Sequence, residues 1–294
     1  MLKQKILILE DRCTVCGHCI EICPRDSFRI VDEKLVFDGT FCHDCGHCIS
    51  ICPNQALTHQ YLPKEDFLLI SESLPSSSFL SGEQMYFALK AIRSTRAYSK
   101  KKVEKVILSK LVDIIRFAPT GHHAQNVELV VVQTEEIIEA LKRESAKAIE
   151  KFLKFINNPF LLFFAKLFGK GAQIKKAKQA KPRFTRMLNG FQEGKDYLFH
   201  GAPVIFVFHA KKNSTVPADN CNQAAAYVRI VAHAFGLGSC FIGYLIHYAK
   251  YNKKIPELLK IPPTNEIFQV LILGYPKYRF KTFVSRKPSK VDFV

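Results

Sequence analysis

Apolar residues recur at 103, 106, 107, 111, 114, 115 and 118, the one-sided spacing of an amphipathic helix over Val103–Ala118. Three runs are instead continuous and rich in branched side chains: Val127–Gln133, Val204–Phe208 and Ile267–Leu273. Each predicts a buried strand. Asp219–Phe235 is Ala-rich at helical spacing and stops at Gly236, a residue suited to a helix C-cap. Long helices alternating with few strands predict an α+β sandwich, and periodicity alone does not supply the strand order. The densest apolar stretch, Pro159–Phe168, is ten residues long and contains Lys166. A bilayer span needs about 20. Met1–Lys5 leads into a strand-like run without a small-residue cleavage site, so no export signal is read and a cytoplasmic protein is expected.

Polar residues divide the chain. Residues 71–82 hold six serines, a proline and a glycine, the composition of a linker. The expected organisation is a small module over 1–62, a linker over 63–84 and a larger domain over 85–294. Charge and cysteine follow the same division. The chain of 294 residues carries +17, yet residues 1–60 carry −2. Eight of the ten cysteines fall between Cys13 and Cys52. Two modules with different tasks are implied.

Those eight cysteines form two segments with a 29-residue period, Cys13-x-x-Cys16-x-x-Cys19-x-x-x-Cys23-Pro24 and Cys42-x-x-Cys45-x-x-Cys48-x-x-x-Cys52-Pro53. Gly17-His18 matches Gly46-His47, and Ile20 matches Ile49. Three thiolates spaced by two residues can wrap one iron–sulfur cube from a single loop. The fourth, followed by Pro, points away and ligates the other cube. Cys13, Cys16, Cys19 and Cys52 are thus expected to hold one 4Fe–4S cluster, and Cys42, Cys45, Cys48 and Cys23 the second. Zinc sites favour two C-x-x-C pairs across a longer spacer, and disulfides require an oxidising compartment. Over about its first 60 residues the chain resembles the bacterial-type two-cluster ferredoxins. His18 and His47 are read as partly exposed loop residues.

Four segments of the larger domain carry a second resemblance. Ile92-Arg93-Ser94-Thr95-Arg96-Ala97-Tyr98 offers two guanidinium groups and a hydroxyl at a spacing that can meet a phosphate and an electron-rich ring edge. Ala118-Pro119-Thr120-Gly121-His122-His123-Ala124-Gln125-Asn126 is a polar loop. Gly236-Leu237-Gly238-Ser239-Cys240-Phe241-Ile242-Gly243-Tyr244 is a glycine turn. The tail reads Leu273-Gly274-Tyr275-Pro276, then Arg286-Lys287-Pro288. In this order the four are similar to the motifs of the FMN-dependent nitroreductase superfamily, across nearly all of residues 86–294. Ile92 stands where that family usually has Arg, and His123 where it has Asn. The resemblance implies FMN held by Arg93, Ser94, Arg96, Pro119, Thr120, His123, Gln125, Arg286 and Lys287. It also implies backbone N–H groups of Ile242, Gly243 and Tyr244 facing the reactive edge of the flavin. Such donors would stabilise negative charge without a titratable group, so no catalytic side chain is nominated. Cys221 and Cys240 read as packed small side chains.

Lys142–Arg186 holds thirteen Lys or Arg against Glu144 and Glu150, together with seven Phe. It is read as a helical excursion over the active site, with Phe lining the pocket and Lys in solvent. Membrane association is the weaker reading. Nucleic acid is not expected, because no reading element or stacking platform is present. The fold expected for the whole chain is a ferredoxin-type two-cluster module followed by a nitroreductase-like α+β sandwich. The activity expected is electron transfer from clusters to FMN and on to a small electron-poor acceptor, a nitroarene or quinone. A ferredoxin or NAD(P)H would be the donor, and the resemblance implies a homodimer. A relay without turnover and a redox sensor are the competing readings.

Overall fold

The computed structural model describes residues 5–64, 67, 80–169 and 171–294, without the side chains of 165 and 166. Most of the predicted linker lies outside the described residues. The chain divides into two compact units, Met1–Met85 and Tyr86–Val294.

The first unit is a pair of half-repeats. Strands β1 (Ile6–Ile8) and β4 (Leu57–His59) pair antiparallel, as do β2 (Phe28–Val31) and β3 (Lys34–Phe37). Each half carries one short helix, His18–Glu21 and His47–Ile51. The 29-residue period extends to the backbone. Gly17 and Gly46 enter their helices at φ 80° and 74°, a region that glycine adopts without strain. Val15 and Asp44, then Asp26 and Gln55, repeat the same positive φ. Side chains contribute little: among the described residues the buried members of the unit's core cluster are Ile6, Cys19, Phe28 and Leu57. So small a core cannot hold some 60 residues without a metal or a cross-link.

The second unit is built on one antiparallel sheet ordered β5 (Glu128–Val132), β6 (Val204–Lys211), β8 (Asn265–Gly274), β7 (Gly238–Phe241). Helices cover both faces. Ile205, Val207 and Ile272 point into a core shared with Glu135–Asn157, Gly171–Gln192 and Gly243–Tyr251. Val204, Phe206, Phe208, Leu271 and Leu273 point into a core shared with Lys105–Asp113 and Pro217–Ala234. Burial on both faces explains why β6 and β8 read as continuous apolar runs. The α+β sandwich is as expected. β5 differs from its reading: it is an edge strand, and only Val132 in it is fully buried. The predicted Val103–Ala118 helix ends at Asp113 and tightens to 3-10 geometry over Ile114–Phe117. The glycine turn at 236–244 contains the fourth strand of the sheet. Cys221 and Cys240 are buried, and burial pushes the Cys221 thiol up to about 12.

Among its described residues the basic segment forms three helices, Glu135–Asn157, Pro159–Leu167 and Gly171–Gln192. Lys142 anchors it through Asp196 at 3.0 Å, and Asp196 also accepts the N–H groups of Leu198, Phe199 and Gly201. Its phenylalanines divide. Phe152, Phe155 and Phe184 line a cavity, whereas Phe160, Phe163, Phe164 and Phe168 face solvent. No helix among the described residues is long and apolar enough to cross a membrane.

β7 is locked to the chain before it. Thr95 N–H donates to the Ser239 carbonyl at 2.9 Å, and Ser94 bridges Ser239. A Cβ on Gly238 would lie 2.7 Å from Thr95 Cβ and 2.8 Å from its Cγ2. Gly238→Ala is therefore expected to destabilise the second unit by about 1–3 kcal/mol through overpacking. Thermal unfolding followed by circular dichroism would register this as a fall of several degrees.

Candidate cluster and flavin sites

The first unit gathers its eight cysteines into two quartets. Cys13, Cys16, Cys19 and Cys52 line one cavity, and Cys23, Cys42, Cys45 and Cys48 line another. Each quartet therefore takes three thiols from one half-repeat and one from the other. A pair of matched bonds fixes the crossing thiols: Ser27 N–H donates to Cys23 Sγ at 3.4 Å, and Ala56 N–H to Cys52 Sγ at 3.2 Å. Burial, and then the neighbouring Cys16, Cys13 and Cys52, raise the Cys19 thiol to about 11. Burial and the nearby thiols of its quartet raise Cys48 to about 12. Four thiols crowded this way resist ionising unless a polycation compensates them, the service a metal cluster performs. Among the described residues no grouping of three or more His, Cys, Asp or Glu closes around a single ion.

Beside the second quartet lies a feature the sequence reading missed. Asp44 accepts from Lys5 Nζ at 3.0 Å and contacts His59 Nε2 at 3.2 Å. His59 Nδ1 accepts the N–H groups of Tyr61 and Leu62, which puts the ring proton on Nε2, facing Asp44. His18 and His47 are exposed and open the two short helices.

In the second unit, three of the four sequence segments converge. The 93–99 strip is hydrogen-bonded to β7 through Thr95 and to the turn after β8, where Ser99 N–H donates to the Tyr275 carbonyl and Lys277 N–H to the Ala97 carbonyl. Tyr98 closes the strip with a 2.9 Å bond to the Thr95 carbonyl. Arg93 is half-buried, and one of its terminal nitrogens donates to the Ile92 carbonyl, yet its Nε is buried with no partner. A second guanidinium, Arg229 on the Pro217–Ala234 helix, shares that condition: its Nε is also buried and unmatched. Burial is the main cause lowering its pKa, and the nearby charge of Arg93 adds to it. Its guanidinium carbon lies 5.2 Å from the Phe241 ring. Arg96 is exposed, and its charge acts on His200.

Ile242, Gly243 and Tyr244 open the helix after β7. The Ile242 N–H is already spent on the Val270 carbonyl at 2.9 Å. Gly243 and Tyr244 occupy the first turn, whose amides have no acceptor within their own helix. The fourth segment behaves differently. Gly121 N–H donates to Asn220 Oδ1 at 2.9 Å, and Asn220 Nδ2 to Asn126 Oδ1 at 2.8 Å. This places Pro119, Thr120, His123 and Gln125 in the loop held by Asn220 in the first turn of the Pro217–Ala234 helix, and Asn220 is about 14 Å of helix away from Arg229. The loop is strained, with His122, His123 and Gln125 at φ 51°, 54° and 43°. Gln125 Nε2 lies 2.8 Å from His123 Nε2, so the amide donates and the ring nitrogen accepts. Arg286 and Lys287 lie on the exposed tail, where Arg286 donates to the adjacent Ser285 carbonyl.

Residues 89–275 match the profile of the nitroreductase family. The chain belongs to the nitroreductase family. Residues 5–53 match a 4Fe–4S dicluster domain, so this member carries an iron–sulfur module ahead of its family domain. It is an FMN-dependent oxidoreductase. Its fold is similar to that of a nitroreductase with bound FMN from Desulfitobacterium hafniense DCB-2, at TM-score 0.54 and 15% identity, covering 71% of this chain and 97% of that one. A nitroreductase with bound FMN from Bacteroides fragilis NCTC 9343 gives TM-score 0.51 and 17% identity, covering 72% and 98%. No curated protein matches the sequence. Two buried guanidinium nitrogens without partners, and a helix whose first-turn amides have no acceptor within it, are donors of the kind that fit the phosphate and the electron-rich edge of FMN. Arg229 was missed because a lone Arg in an Ala-rich helix reads as solvated. The signal was its spacing: it follows Ala225 by four and precedes Ala232 by three, and both are fully buried.

Proposed function

We propose that this nitroreductase-family protein passes electrons from two 4Fe–4S clusters to FMN and on to a small electron-poor acceptor of the nitroarene or quinone class. The observation that carries the reading is the gathering of eight cysteines into two crossed quartets on a chain that also carries the flavin domain. Bound FMN would supply the step between one-electron and two-electron chemistry. The chain's own residues then have defined tasks. Cys13, Cys16, Cys19 and Cys52 hold one cluster, and Cys42, Cys45, Cys48 and Cys23 the other. Arg93 and Arg229 take the phosphate, with Ser94 and Arg96 beside them. The amides of Gly243 and Tyr244 stabilise negative charge on the ring.

A homodimer completes this assignment. The 119–125 loop stands apart from Arg229 within one chain, and Tyr86, Phe87 and Leu89 form an exposed apolar helix face. The tail follows that face, with Phe283 5.9 Å from Phe87. A second copy would cover the face and bring the 119–125 loop, Arg286 and Lys287 to a flavin held by its partner. Arg286→Ala is expected to weaken flavin retention about tenfold, the worth of one charge-assisted bond. Flavin content after dialysis measures this, and unchanged occupancy removes Arg286 from the site. The reading as a whole is tested by anaerobic turnover of a nitroarene and a quinone with reduced ferredoxin, NADH and NADPH side by side. A ferredoxin-type donor is expected to drive turnover, and no turnover with any donor would overturn the enzyme reading.

A further inference from the structure

The basic insert encloses a cavity of about 470 Å³ between the Glu135–Asn157, Gly171–Gln192 and Gly243–Tyr251 helices. That volume lies within the range of small-molecule sites. Its wall is a set of rings: Phe152, Phe155, Phe184, His247, Tyr248 and Tyr251. They are held to one another. Phe184 meets Phe152 edge-on at 4.7 Å, and His247 meets Tyr251 at 5.0 Å. Tyr248 stacks on Tyr244 at 6.2 Å with an angle of 14° between the rings. Rings fixed by mutual contact leave a gap that cannot collapse, and a slot of that kind accepts another ring in stacked or edge-on geometry.

The polar atoms of the wall restrict the occupant further. Tyr248 is 3% exposed, and its hydroxyl is buried with no hydrogen-bond partner among the described residues. The hydroxyl exposes no surface to the cavity, so Tyr248 gives the wall its ring and no donor. Lys151, exposed where the wall meets solvent, is its one residue with a permanent charge. The Asn252 amide is committed to Glu144, donating to its carbonyl at 3.2 Å and its carboxylate at 3.0 Å.

We propose that this cavity is a binding site for a planar aromatic molecule carrying a single acidic group. Its ring packs among Phe152, Phe184 and Tyr251, and its acid faces the Lys151 ammonium. The site is formed by the insert and one helix and does not depend on the flavin assignment. The insert's helices thereby have a task beyond covering the sheet.

The test is isothermal titration calorimetry of the anaerobically purified holoprotein with 2-naphthoate, its neutral amide and (2-naphthyl)methylammonium. Naphthoate is expected to bind once per chain, and the cation at least tenfold more weakly. Ala177→Phe, which fills the cavity from its wall, is expected to abolish binding while flavin and iron contents stay unchanged. Lys151→Gln, a surface change that cannot upset folding, should erase the preference of anion over amide. Absence of saturable naphthoate binding to the parent protein overturns the proposal. So does binding that survives in a folded Ala177→Phe variant, or a cation bound as tightly as the acid.

Discussion

Cys16→Ala is expected to lower the iron content from about eight atoms per chain to about four and to abolish electron entry from a reduced ferredoxin, with flavin content unchanged. Cys16 is the exposed thiol of its quartet, so its loss removes a ligand without opening a hole in the packing. The consequence still reaches the first unit, because so few of its described side chains are buried in a core. Most of the free energy that orders the 13–59 region must come from metal–thiolate bonds. The second unit has its own two cores, on opposite faces of its sheet, and none of their residues belongs to the first unit. Flavin binding should therefore survive. Iron and acid-labile sulfide analysis, together with ferredoxin-driven reduction of the flavin, would measure both halves of the effect. Eight irons in the variant would show that Cys16 is not a ligand. Full ferredoxin-driven activity at four irons would show that this cluster is not the entry point.

The iron–sulfur module is legible in sequence because most of its cysteines are close neighbours in the chain. A three-thiol loop is written in consecutive residues, and the 29-residue period carries the second copy together with its backbone: Val15 with Asp44, Gly17 with Gly46, Asp26 with Gln55. The sandwich is legible for a different reason. β6 and β8 are central and covered twice, so their side chains are apolar without interruption. β5 is equally apolar and lies at the edge, because strand order is settled by which helix crosses which face, and no run of residues records that. β7 was hidden by its Gly238 and Ser239, residues chosen for a close approach to Thr95 rather than for strand propensity. The proposed flavin site is the least local of all. The charge of Arg93 acts on Arg229 across 136 positions of sequence. The Ile92 departure from the family motif gains meaning here, because Arg229 places a second guanidinium near Arg93 from another element.

Arg229→Met is expected to reduce FMN affinity by about 10–100-fold, the loss of one or two charge-assisted hydrogen bonds to phosphate. Its effect on stability should run the other way. A guanidinium whose Nε is buried without a partner, against Phe241 and within reach of the charge of Arg93, is costly without an anion, and an apolar side chain of similar length removes both the desolvation and the repulsion. The flavin-free variant should therefore unfold at the same temperature as flavin-free parent protein, or higher. A purely structural arginine would give the opposite result, lower stability with flavin retained. Arg229→Lys separates charge from shape. The ammonium keeps the attraction to phosphate but lacks the planar fork, so its FMN affinity should fall between parent and Met variant. Measuring flavin release by fluorescence and unfolding by calorimetry on the same three proteins decides the matter. If the Met variant loses stability and keeps its flavin, Arg229 has no place in the phosphate site.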